Sequence, residues 1–112
     1  MTAPVSTVSF PATALDAFAL SPSQVRDLVA EKIASAYGET PSEFEAETAV
    51  SIDGSPVLES PQAVLAVNAF NALFGKKRLI KLSKVAEKNW ASIGAVAALI
   101  YAALQSRKVA TA

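Results

Sequence analysis

Residues 89–106, NWASIGAVAALIYAALQS, contain no charged side chain. One stripe of apolar residues in this stretch recurs at alternating spacings of three and four, the pattern of a helix packed against another helix. These residues are Trp90, Ile93, Ala97, Ile100 and Leu104. Alanines and Gly94 occupy the opposite face and permit a second helix to approach closely. The stretch therefore predicts a long apolar helix, which we expect to extend from about residue 83 to residue 105.

A membrane span is the alternative reading of the same stretch. Its eighteen residues would make a helix of about 27 Å, against a hydrocarbon core of about 30 Å. Trp90 and the flanking basic residues resemble interfacial anchors. Six alanines and five Ser, Asn, Gln or Gly residues leave the stretch only moderately hydrophobic. We therefore favour burial inside protein over insertion in a bilayer.

Three further helix starts are marked by a hydroxyl residue followed by proline, which supplies an N-cap oxygen and a preset first-turn φ. They are Ser21-Pro22, Thr40-Pro41 and Ser60-Pro61. Gly38 and Gly75 are placed to end the first and third of these helices. Few polar residues interrupt the third, so we expect that helix to be buried on several sides.

The remaining segments complete a mainly α fold of three to four helices. Prolines at 4 and 11 favour an extended N-terminal arm over residues 1–20, and residues 21–112 are expected to form a single helical domain. Asp53-Gly54 lies between two β-favouring runs and predicts a short β-hairpin near 49–58. Pro56 should confine any such strand to an edge.

Charge is sorted along the chain although the formal total is zero. Residues 1–60 carry nine acidic and two basic side chains, a net charge of −7, and residues 61–112 carry one acidic and eight basic ones, a net charge of +7. Such a chain can neutralise itself by folding back, or neutralise another copy by stacking head to tail. The basic half could also meet nucleic acid or lipid headgroups.

The composition removes several kinds of chemistry. Cysteine and histidine are both absent, which excludes disulfides, thiolate nucleophiles, Cys/His zinc sites and the usual general base near neutral pH. Neither a phosphate-binding loop nor a nucleophile motif is present. The acidic side chains at 43, 45 and 47 are better explained by a solvated helix start than by a metal site. We therefore expect neither an enzyme nor a cofactor, metal or small-molecule substrate.

Basic residues cluster between the third helix and the apolar stretch. They are Lys76, Lys77, Arg78, Lys81, Lys84 and Lys88. They could bind phosphates, lipid headgroups or an acidic protein surface, or simply be a solvated connector. Lys77, Lys81, Lys84 and Lys88 would share one face if the last helix began early. The absence of aromatic residues within this run weakens a nucleic-acid role.

These features favour a non-enzymatic assembly subunit, such as a virion or filament component, that buries apolar helices against copies of itself or other proteins. The expected helix contacts are Val64, Val67, Phe70, Phe74, Trp90, Ile93, Gly94, Ala97, Ile100, Tyr101 and Leu104. The alternatives are a small membrane protein spanning at 89–106 and a soluble anion- or nucleic-acid-binding module using 76–88. The compartment stays open; no positively charged leader precedes Arg26, and a soluble or assembly-bound state is favoured.

Overall fold

The computed structural model describes residues 10–76 and 78–111 and, within that part of the chain, five α-helices. They are α1 (Ala14–Phe18), α2 (Pro22–Ala36), α3 (Pro41–Glu47), α4 (Ser60–Asn71) and α5 (Ile93–Thr111). Short 3₁₀ turns occupy Ala72–Phe74, Leu82–Lys84 and Glu87–Asn89. Four of the helices have seven or more residues, so the prediction of a mainly α chain is confirmed, with one helix more than expected.

Two of the three predicted helix starts have the expected caps. Ser21 Oγ accepts from the Gln24 N–H at 3.2 Å, and Thr40 Oγ1 accepts from the Glu43 N–H at 3.2 Å. In each case the side chain of the later residue accepts from the cap N–H at 2.8 Å, which completes a capping box. The third start is displaced, because α4 begins at Ser60 with Glu59 as its N-cap. At this start the N–H of the N-cap residue, Glu59, donates to Gln62 Oε1.

The predicted start of the last helix near residue 83 is wrong. The two 3₁₀ turns occupy its expected first turns, and α5 begins at Ile93. Extended pairing sets this boundary, because the Leu58 N–H donates to the Ala91 C=O at 2.8 Å and the Ile93 N–H donates to the Pro56 C=O at 2.9 Å. A backbone held in that extended pairing cannot also be helical. Among the described basic residues, Lys81, Lys84 and Lys88 therefore do not share the face of one α-helix; Lys77 lies outside the described residues.

The predicted hairpin is present as a tight turn with isolated bridges, and the described residues contain no β-strand. Val50 pairs with Pro56, while Val57 pairs with Ser92. Residues 55–58 consequently lie between the 49–51 segment and the start of α5, so the prediction that Pro56 lies on an edge is wrong. The Pro56 C=O accepts from the Ile93 N–H. Gly54, with φ of +84°, takes the left-handed position that the turn requires.

The predicted extended arm is wrong in its second half. Residues 1–9 lie outside the described part of the chain, but 14–18 form α1, whose first turn is capped by Thr13 Oγ1 accepting from the Asp16 N–H. Aromatic contacts attach this region to α4 and its 3₁₀ extension. The Phe10 and Phe70 rings meet edge to face at 5.0 Å, and the Phe18 and Phe74 centroids are 5.9 Å apart.

Helix α5 packs chiefly on α2 and also contacts α4 and α1. The largest fully buried side chains come from α2, α4 and α5, and they include Leu28, Ile33, Phe70, Ile93 and Ile100. The Cα radius of gyration is 13.7 Å, close to the roughly 13 Å of a folded domain of this length. Among the described helices, none is both long and apolar enough to cross a membrane.

Candidate interaction site

Six of the predicted contact residues lie in the chain's own core. They are Val67, Phe70, Ile93, Ala97, Ile100 and Leu104, each at most 5% exposed. Helices of the same chain cover them, so a partner cannot reach them without unfolding. Contacts with another molecule must therefore use the side chains that the fold leaves at the surface.

The other predicted contact residues are less buried. On α4, Val64 is 41% exposed, next to Leu65 at 40%. Phe74 is half-buried, and the Arg107 guanidinium lies 5.0 Å above its ring. Trp90 precedes α5 and is also half-buried, and its indole N–H donates to the Val85 C=O. Tyr101 is half-buried on α5. Tyr101 lines a cavity of about 340 Å³ between α5 and α2, together with Gly94 and Ala97.

Gly94 faces the hairpin turn, which the helical pattern alone does not indicate. A Cβ atom at this position would lie 2.8 Å from Asp53 Oδ2 and 2.9 Å from Ser55 Oγ. Both distances are shorter than those at which Cβ atoms in proteins approach other atoms. The Gly94 N–H donates to Ser55 Oγ at 2.9 Å. A side chain at position 94 would therefore force the Asp53 and Ser55 side chains to shift from these contacts.

The Asp53 carboxylate organises this junction. It accepts from the Ser55 hydroxyl at 2.6 Å and the Ser55 N–H at 2.9 Å. Its second oxygen accepts from the Ser92 hydroxyl at 2.7 Å. Hydrogen bonds first from Ser55 and then from Ser92 lower the pKa of Asp53 to about 2. Ser92 Oγ also accepts from the Ala95 N–H at 3.1 Å, so the same network caps α5.

The outer edge of the hairpin has no partner in the described chain. Val50 and Pro56 form a non-hydrogen-bonded antiparallel pair, so the N–H and C=O of Val50 point away from the inner segment. Neither group makes a hydrogen bond with the described residues. The Val50 side chain is 68% exposed, and that of Ile52, at the tip of the turn, is fully exposed. We call residues 49–52 the open edge.

The basic segment lies at the surface, with Lys77 outside the described residues. Lys76, Arg78, Lys81, Lys84 and Lys88 are all exposed, and within the described chain none of them forms an ion pair. Arg78 and Lys81 line a groove of about 530 Å³ between α4 and residues 78–83. Asn68 and Ser83 add polar groups to it, and Val67 and Ile80 add apolar surface. We call this feature the basic groove.

Acidic side chains gather at the α2–α3 connection, and we call Glu39, Glu43 and Glu47 the acidic corner. The pKa of Glu39 is raised, most strongly by its hydrogen bond with the Glu47 side chain, then by partial loss of solvent and by the charges of Glu47 and Glu43. No arrangement of three or more acidic side chains suited to a metal ion occurs in the described residues. The corner is therefore a crowded negative surface.

Comparison with protein-family models, with curated protein sequences and with solved structures yields no match to this chain.

Proposed function

We propose that this chain is a non-enzymatic assembly subunit that associates with copies of itself. The observation that carries the proposal is the open edge at residues 49–52. The Val50 and Ile52 side chains are exposed there, and the Val50 N–H and C=O have no partner among the described residues. An exposed edge of this kind is a template for pairing with another chain.

The surrounding structure supports pairing at this edge because the hairpin is held rigid. Its inner segment is paired with residues 91–93, and Asp53 ties its turn to the start of α5. A prearranged edge loses less conformational entropy on binding than a flexible loop does. Neither lysine nor proline, two residues that commonly protect an edge, occurs among residues 49–52.

The division of charge also supports self-association. Within the described residues, Arg78 and Lys81 of the basic groove and the acids of the α2–α3 corner remain without ion-pair partners. Folding has thus not neutralised the −7 and +7 halves of the sequence against each other at these places. A second copy can offer each surface the opposite sign.

Substitution of the edge tests the proposal. Ile52→Lys adds a charge at the tip of the turn and should lower the oligomer mass measured by light scattering after size exclusion. Leu15→Lys is the matched control, because Leu15 is also exposed but lies on α1, away from the hairpin. If the oligomer persists with Ile52→Lys but dissociates with Leu15→Lys, the contact lies on another surface. That result would contradict the role of the edge.

A further inference from the structure

The backbone on either side of the basic groove is fixed, although the segment has little regular structure. Asn71 Nδ2 donates to the Ile80 C=O, and Asn71 Oδ1 accepts from the Ile80 N–H, both at 2.9 Å. Arg107 Nη2 donates to the Arg78 C=O at 3.0 Å. Arg78 and Lys81 therefore extend from an anchored chain, which is unlike a solvated connector.

The groove combines this anchoring with unpaired charge. No acidic side chain of the described residues pairs with Arg78 or Lys81. Asn68, beside them on α4, is exposed and offers an amide donor. Two cations and an amide around one concave surface suit a carboxylate or another oxyanion.

The acidic corner has the opposite charge and is also held by local contacts. Glu43 Oε1 accepts from the Thr40 N–H within the capping box of α3. The Tyr37 and Phe44 rings stack at 6.1 Å and join the end of α2 to α3. Both the corner and the groove are thus presented by ordered backbone, so little is lost in ordering either of them on contact.

We infer that the basic groove receives the acidic corner of a second copy in a head-to-tail contact. The inference rests on the proposed self-association and adds the surfaces that set its orientation. A second copy is the occupant that the charges favour, because the same chain carries both surfaces with opposite sign and leaves both unpaired. Such a contact is heterologous, and repetition produces a ring or an open filament.

A charge swap tests this contact. Arg78→Glu with Lys81→Glu should weaken self-association at least about tenfold, and so should Glu39→Lys with Glu47→Lys. Glu43 is left unchanged to keep the cap of α3. When the two double variants are mixed in equal amounts, the reversed groove meets the reversed corner, and association should return. Sedimentation velocity measures all three samples, and circular dichroism checks that each variant is folded.

Lys84→Glu with Lys88→Glu is the matched control, because it makes the same charge change in the same segment outside the groove. This variant should associate like the unchanged chain. If both double variants remain associated, or if the mixture fails to restore association, the head-to-tail contact is overturned while self-association stands. If restoration fails and the unchanged chain binds inorganic phosphate through Arg78 and Lys81, the groove is a site for a free anion instead. A monomeric unchanged chain would overturn the proposed function itself.

Discussion

The Asn71 side chain makes two hydrogen bonds of 2.9 Å with the backbone of Ile80, donating to its C=O and accepting from its N–H. One buried amide thus satisfies both polar groups of a residue that belongs to neither a helix nor a strand. Backbone groups buried without such partners are costly. This pair fixes the position of the basic segment against α4.

Asn71→Ala should lower the free energy of unfolding by about 2–4 kcal/mol, because it leaves the Ile80 N–H and C=O without partners. Urea denaturation followed by Trp90 fluorescence measures the change. Asn68→Ala is the control, since Asn68 lies one turn earlier on α4 but is exposed, and its effect should stay within about 0.5 kcal/mol. Equal effects of the two substitutions would argue against the special role of Asn71.

Gly94→Ala should destabilise the chain by about 1–3 kcal/mol, because the new methyl group would clash with Asp53 and Ser55. At an unobstructed helix position the same change is stabilising. Repeating the substitution in an Asp53→Ala background removes one of the clashing groups, so a smaller penalty is expected there. Thermal denaturation of the unchanged chain, the two single variants and the double variant gives the coupling energy between positions 53 and 94. If the effects of the two substitutions on stability are additive, the Asp53 side chain does not contribute to the clash at position 94.

Acid should weaken the junction between the hairpin and α5. The pKa of Asp53 is about 2 in the folded chain, below the usual value of 3.8, so the unfolded chain binds this proton more readily. The stabilisation is fully present above about pH 4 and is lost as the pH falls toward 2. Asp53→Asn should flatten the dependence of unfolding free energy on pH in that window. An unchanged slope would show that Asp53 does not contribute to it.

Local sequence signals correctly predicted those helix boundaries that depend only on residues close in sequence. Ser21 and Thr40 cap α2 and α3 as expected, because each cap needs only a residue three positions later. Gly38 and Gly75 also end helical segments with φ values of +70° and +61°. These features follow from backbone chemistry alone.

Contacts between distant segments determined what the sequence did not predict. The start of α5 depends on pairing between residues 56–58 and 91–93, which leaves no mark on the apolar pattern of residues 89–106. Asn68 and Asn71 fit one polar stripe, yet only Asn71 is buried. At Gly94 the nearest side chains are those of Asp53 and Ser55 in the turn, which the small-residue pattern of the helix does not indicate. In each case the deciding partner lies in another segment.

Raising the salt concentration should weaken association between copies, because the unpaired acidic corner and the basic groove attract through exposed charges that salt screens. The apolar edge at 49–52 should retain part of the association. Light scattering in low and high sodium chloride measures the two contributions. An association constant independent of salt would assign the contact to apolar surface alone.

Sedimentation equilibrium of the unchanged chain over a wide concentration range tests self-association most directly. The chain has a mass of 11.6 kDa, and we predict a mass-average value that rises above it with concentration at low salt. A value of 11.6 kDa at every concentration and salt condition would contradict the assembly role.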